Sequence, residues 1–442
     1  MGIGRNTLIG LATDLTVFAL GFLVSIVLAY SLGPQGRGVY VILVTTNVLL
    51  ANVAHLSLWA ACSALLGQNR YRLGEVNTAA LLIAGGMGIL CFGAASAVYL
   101  VWGAILFPQI TYGQLLITLL LIPSTIYQVY WTFIMLGSDH VLTMNKLNLA
   151  VNVGNAAGML LVVGGLHGGI AGFLAVWVVS STANLIAAVV LAARIDPFAW
   201  PPSRVVFRDL LTFGLRTHGA HVAHQLFLRF DVYAVSSLVG VSGVGIYTLA
   251  TSLAEKLWVP FNAIYASSLG TIMRLPPAES ALLTAKISRT ALLLMVSLAL
   301  PFALVSPWLI PLLYPAAFTP MVLPLILLLI GTPGFAVMSV VNNYILGPMG
   351  RPGLLSLISW AQLLVSIPLY LGLILTYGIV GAAVASTLTY WLALAGTLGV
   401  FVRATGLPLR QVLLPTGADF RDYARVLQAA LLQIRRRAAT NG

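Results

Sequence analysis

Apolar runs of bilayer length recur along the whole chain, broken by short clusters of glycine, proline and charge. A hydrocarbon core needs about 20 apolar residues per helical crossing. Reading hydropathy with those breakers as punctuation predicts twelve helices. Their spans are 8–32, 38–66, 78–105, 113–137, 145–166, 170–193, 210–239, 244–272, 284–307, 319–347, 353–377 and 379–402. The longest polar stretches are 194–209 and the tail after 402, so the pattern leaves no sizeable soluble domain. The expected fold is an all-α polytopic membrane protein with about twelve transmembrane helices.

Composition agrees. Of 442 residues, 60% are hydrophobic and 7% charged, and the mean hydropathy is +1.00. Soluble domains carry about 25% charge. The first apolar segment, after Arg5, runs past residue 30 without a small-residue cleavage site and reads as the first helix. Two cysteines, Cys62 and Cys91, imply neither a disulfide framework nor a cysteine-rich metal site.

Charge then orients the helices. Arg5, Arg70, Arg72, Lys146, Arg194, Arg204, Arg208, Arg274, Lys286, Arg289, Arg351 and Arg403 fall at one side, joined by the basic tail. The opposite connections carry only Arg37. Basic residues concentrate on the cytoplasmic side, so both termini are expected there, and the net charge of +12 is mostly a topology signal. In the tail, 419–437 has apolar positions at helical spacing with arginines elsewhere, which predicts a helix on the membrane surface with Asp419 as N-cap.

The chain also resembles itself. "LGPQGRGVY" (32–40) and "VGVSGVGIY" (239–247) superpose at a shift of 207, pairing Gly33 with Gly240, Gly36 with Gly243, Gly38 with Gly245 and Tyr40 with Tyr247. "GGIAG" (168–172) similarly matches "YGIVG" (377–381). Six helices per half make the repeats parallel. The expected organisation is an N-lobe, 1–205, a C-lobe, 206–402, and a cytoplasmic tail, 403–442. The two pseudo-symmetric six-helix lobes would flank a central cleft.

Polarity concentrates in "LRTHGAHVAHQLFLRFD" (215–231). On a helix His218, His221, Gln225 and Arg229 share one face, because their spacings are three, four and four. An arginine in mid-bilayer costs about 2.5–3.5 kcal/mol on insertion scales, so this face is expected toward the cleft. Glu255 and Lys256 follow midway along the eighth helix, with Glu255 placed to pair with a neighbour such as Arg229. The 207 shift makes Asp14 and His221 quasi-equivalent. A blander reading stands beside this one. The histidines would bond neighbouring helices, Arg216 would snorkel to the interface, and Glu255 with Lys256 would form a structural pair.

"AYSLGPQGRGVYVIL", "YTLATSLAEKLWVPF", "LLYPAAFTPMVLPLILLLIGTPG" and "NNYILGPMGRP" resemble the multidrug/oligosaccharidyl-lipid/polysaccharide exporter superfamily. Within it they resemble the O-antigen-type polysaccharide flippases, over essentially 1–402. The resemblance implies two six-helix lobes in a V that open alternately, and a polyprenyl-diphosphate-linked oligosaccharide as substrate for cell-surface polysaccharide biosynthesis. It implies a multi-pass protein of the inner (cytoplasmic) membrane. On that load, Arg229, Lys256 and Arg216 would hold the diphosphate, with His218, Gln225 and Asn152 contacting diphosphate or sugar. Asp14, His221, Asp231 and Glu255 would couple a proton or sodium ion to the motion. Tyr127, Tyr130, Trp131 and Asn155 are further candidates to line the cleft.

Lipid II flippases resemble the chain in fold, but carry an Arg/Asp-rich first helix where this one has only Asp14. They also have two extra helices. Drug/cation antiporters share twelve helices and use lobe carboxylates. A polytopic glycosyltransferase or ligase would need a large outer loop with acid and base residues, and the outer loops here are short. No enzyme activity, resident cofactor, metal site or nucleic-acid partner is expected.

Overall fold

A computed structural model describes residues 3–107 and 109–421; the side chains of residues 3–15, 18, 104, 106, 217, 263, 264 and 266–269 are not among those described. All regular structure among the described residues is helical. In chain order the helices are α1 (Ile3–Ala54), α2 (Leu58–Gly67), α3 (Leu73–Leu106), α4 (Tyr112–Leu120), α5 (Ile122–Gly137), α6 (Val141–Gly158) and α7 (Gly169–Ile195). There follow α8 (Arg204–Leu238), α9 (Val241–Lys256), α10 (Trp258–Arg274), α11 (Pro277–Leu313), α12 (Val322–Leu346), α13 (Pro352–Thr405) and α14 (Leu409–Leu413).

Among the described residues eight stretches are long and apolar enough to cross a bilayer. Two of these hold two crossings each, because α1 is kinked at Gly33 (φ 61°) and α13 at Gly378 (φ 56°). The 35-residue α8 is long enough but more polar, and α9 with α10 forms one interrupted helical stretch over the eighth segment. The twelve hydropathy segments thus each have a helical counterpart.

Several segments expected to be continuous are broken. The fourth breaks at Leu121, two residues before Pro123, and the eighth at Leu257, three before Pro260. Proline removes a backbone donor and crowds the preceding turn, which accounts for both breaks. The fifth ends in a π-helical stretch, Met159–Gly165. The second breaks at 55–57 with no glycine or proline, and Leu56 (φ 51°) and Ser57 (φ 53°) are both left-handed.

Contact density divides the chain into two compact units. The first comprises Met1–Leu249, Trp308–Met321 and Tyr370–Ala382, and so takes in α8 from the second half of the repeat. Tyr127, Tyr130 and Trp131 are fully buried in it. The second comprises Ala250–Pro307, Val322–Leu369 and Ala383–Gly442. Phe261, Ile272, Ala291, Met295, Ala336 and Val340 form a core there, beside Trp258 stacked on Phe335 with ring centroids 4.1 Å apart.

The repeat has a physical counterpart inside the first unit. A Cβ on Gly38 would run into the carbonyl oxygen of Val241, and one on Gly245 into that of Pro34. Under the 207 shift Gly38 corresponds to Gly245 and Pro34 to Val241, so the two contacts are the same contact made twice. Between them Ser242 Oγ donates to Gln35 Oε1 at 3.2 Å, and these residues are also 207 apart. The two matched turns therefore meet about a local pseudo-two-fold axis. Gly33 and Gly240 both have positive φ, as do Gly169 and Gly378 in the second matched pair.

Arg37, expected in a loop, sits in the helix just past Gly33 at 3% exposure. Among the described residues its Nε finds no hydrogen-bond partner.

A capping box lies near the last of the described residues. Thr416 Oγ1 accepts the Asp419 N–H at 3.4 Å, while the Thr416 N–H donates to Asp419 Oδ2 at 2.8 Å. Thr416 is therefore the N-cap and Asp419 the third helical position, which corrects the expectation for Asp419. Residues 422–437 of the expected surface helix lie outside the described residues.

Candidate functional site

The polar face of α8 packs within the first unit against the interruption at 55–57. Gly214 makes the approach possible, since a Cβ there would lie 2.6 Å from the Leu56 carbonyl oxygen and 2.5 Å from Leu58 Cδ2. One turn on, His218 Nδ1 lies 3.2 Å from Ser57 Oγ. His221 Nε2 lies 3.2 Å from Asn52 Oδ1, with its ring centroid 4.8 Å from that of His55. The His55 and His218 centroids are 6.2 Å apart.

The interruption is held from several directions. His55 Nδ1 accepts the Ser57 N–H at 3.0 Å. The His55 carbonyl accepts the Leu58 N–H at 3.0 Å and the Tyr130 hydroxyl at 2.8 Å. Left-handed backbone at a non-glycine costs about 1–2 kcal/mol per residue, so these bonds are needed to keep the break open. His55, Ser57 and Asn52 do not stand out as a site in the sequence, and Tyr130 does so only as a candidate to line the cleft. The available signal was two polar residues, His55 and Ser57, inside an apolar run.

The remaining candidates fall as follows. Gln225 and Arg229 are half-buried on the same face of α8, and Arg216 is exposed. Asp231 is 4% exposed and accepts from the Tyr247 hydroxyl at 2.7 Å, tying α8 to α9. Glu255 and Lys256 are half-buried and end α9 at its break, in the second unit, rather than midway along a continuous helix. Asn152 is exposed and donates to the Asn148 carbonyl of its own helix at 2.8 Å. The side chain of Asp14 lies outside the described residues.

Tyr127, Tyr130 and Trp131, expected to face a cleft, are instead core residues at 0% exposure. Tyr127 donates to Asn77 Oδ1 at 2.8 Å. Among the described residues no three His, Cys, Asp or Glu side chains are arranged to hold a metal ion.

At the basic end of the first unit a second polar cluster joins separate elements. Asp209, in the first turns of α8, accepts from Tyr71 and Arg70, each at 2.7 Å. Asp196, just past α7, accepts the Gly74 N–H at 2.8 Å and Arg72 at 2.5 Å. The Gly74 amide, followed by Arg72, holds the Asp196 carboxyl below its ordinary range against a smaller effect of burial. Arg70, Arg72, Glu75, Asp139 and Asp196 line an open recess of about 820 Å³ beside this cluster.

No protein-family model matches the sequence, and no curated relative matches it. Solved structures do match in fold. A lipid II flippase, MurJ, in an inward closed conformation is similar at a TM-score of 0.68 and 14% identity, covering 92% of this chain and 89% of that one. A multidrug resistance MATE family transporter of the MOP superfamily, in an inward-facing conformation, gives 0.65 and 15%, covering 88% and 94%. A MOP superfamily transporter from Pyrococcus furiosus, described as having a binding pocket of reversed polarity, gives 0.63 and 14%, covering 91% and 94%. The chain therefore has the fold of the MOP-superfamily transporters.

Proposed function

We propose that the chain is an alternating-access flippase that moves polyprenyl-diphosphate-linked oligosaccharide from the inner to the outer leaflet, driven by an ion gradient. The observation that carries this reading is the α8 face. His218, His221, Gln225 and Arg229 are all half-buried along one side of a 35-residue helix. An arginine inside a membrane-spanning helix is costly unless it is paired or faces a water-filled cavity, and a basic face suits an anionic load.

On this reading the moving bodies are the lobes 1–205 and 206–402, with 403–442 on the cytoplasmic side. The protein lies in the cytoplasmic membrane with both termini inside. Arg229, Lys256 and Arg216 give charge-assisted hydrogen bonds to diphosphate oxygens, while His218, Gln225 and Asn152 contact diphosphate or sugar. The polyprenyl chain stays in lipid. Asp14, His221, Asp231 and Glu255 carry ion coupling or gating, with the proton or sodium ion as co-substrate.

The test is leaflet transfer of a polyprenyl-diphosphate oligosaccharide in proteoliposomes, with and without an imposed pH gradient. Arg229→Ala is expected to cut transfer by about 10- to 100-fold, as loss of a charge-assisted contact of about 1.5–3 kcal/mol would. Lipid II as the preferred load would move the reading to the lipid II branch. PH-driven export of an organic cation, with no transfer of any such lipid, would move it to the drug antiporters.

A further inference from the structure

We infer that the interruption at 55–57 is a proton-binding site, with His55 as the acceptor and the α8 histidines as its neighbours. The inference rests on hydrogen-bond polarity. His55 Nδ1 accepts the Ser57 N–H at 3.0 Å, so that nitrogen is unprotonated while the break is in place. A proton taken from solvent by Nδ1 makes the ring an imidazolium and sets two N–H groups against each other. The Ser57 amide, 1% exposed with its residue, then loses its acceptor. A left-handed Leu56–Ser57 pair stripped of that bond no longer holds.

The other two rings differ in kind. Asn52 Nδ2 donates to the Val48 carbonyl at 2.8 Å, so Asn52 Oδ1 accepts a hydrogen bond from the His221 Nε2–H. His221 can take a second proton on Nδ1 and keep that bond. His218 Nδ1 faces the Ser57 hydroxyl, which donates or accepts by rotation. Of the three, His55 is the ring whose observed bond is incompatible with protonation.

The titratable groups around it are Tyr130 from α5, Cys62 from α2, and His218 and His221 from α8, with His224 next along. His221, half-buried and ring to ring with His55, is the group through which a proton would arrive. Gly214 and His218 lie directly on the segment that changes. A proton on His55 therefore disfavours the seat on which α8 rests, and by linkage the conformer with the break intact releases that proton.

As a coupling site this rests on the transport reading; as a proton site it does not. The experiment uses the full chain in proteoliposomes, following hydrogen exchange of the 55–58 amides between about pH 3 and 8, corrected for intrinsic rates. In the wild type, exchange is expected to rise about tenfold as pH falls, as loss of a single hydrogen bond allows. His55→Asn, whose Oδ1 replaces the acceptor but does not titrate, should show a flat profile. It should also lose the pH-gradient stimulation of lipid transfer.

A flat wild-type profile, or pH dependence that persists in His55→Asn, overturns the proton site. The wild-type profile alone decides should the variant not fold. Wild-type transfer with a flat exchange profile leaves the flippase reading standing and removes this one. The expected exchange profile in a protein that transfers no glycolipid does the reverse.

Discussion

Leu56 and Ser57 show how little a local reading says about a backbone that tertiary contacts hold open. Neither residue favours the left-handed region, and no glycine or proline marks the site. What fixes them comes from far along the chain, namely the Tyr130 hydroxyl and the missing side chain of Gly214. By contrast, Pro123 and Pro260 announce the other two breaks. Tyr130→Phe removes one of the two donors to the His55 carbonyl, which keeps the Leu58 N–H at 3.0 Å. The expected loss is about 1 kcal/mol, measurable as a lowered thermal midpoint in detergent. The α8 stripe was legible because His218, His221, Gln225 and Arg229 stand out by spacing alone. Its partners His55 and Asn52 were not, since packing rather than periodicity brings them there.

At the scale of elements, the matched glycine turns and the tail clamp each allow a direct test. Gly38→Ala drives a methyl into the Val241 carbonyl and Gly245→Ala into that of Pro34. Each is expected to cost about 1–3 kcal/mol. Gly113→Ala, where nothing lies within 4 Å in an α4 helix, should be neutral or stabilising. Thermal unfolding of the three variants checks both signs.

In the second unit, Arg289 grips Asp419 through Nε at 2.7 Å and Nη2 at 3.2 Å, and its Nη1 donates to the Gln411 carbonyl. Burial alone would raise the Asp419 carboxyl, but bonds from Arg289 and Thr416 bring it down to about 2. An unfolded aspartate titrates near about 3.9. The clamp's contribution is therefore complete above about pH 4 and is lost as pH falls through about 2. Asp419→Asn should lose it at neutral pH, exposing 409–421 to limited proteolysis about as acid does to the wild type. The tail's apolar spacing was readable in the sequence, but not its anchor, because Arg289 lies 130 positions away.

For the whole molecule, each of the twelve hydropathy segments falls on helix among the described residues, since twenty consecutive apolar residues leave a signal that no packing detail erases. It misplaced Arg37, because a loop charge and a buried one read alike in a short connection. Orientation is the property that basic-residue bias addresses directly. In a Cys62→Ala, Cys91→Ala background, Asn69→Cys is expected to react with a membrane-impermeant thiol reagent only from the cytoplasmic side, and Gln35→Cys only from outside. The opposite pattern would invert the topology.

The contact between the two matched turns has the form of an isologous dimer interface, written into a single chain. Its axial residues, Gln35 and Ser242, should then be interchangeable. Gln35→Ser or Ser242→Gln alone unbalances the pair, whereas both together restore the same two side chains in mirrored seats. The double exchange is expected to return stability to within about 1 kcal/mol of the wild type, the remainder being the exposed bond from Gln35 Nε2 to Gln109 Oε1.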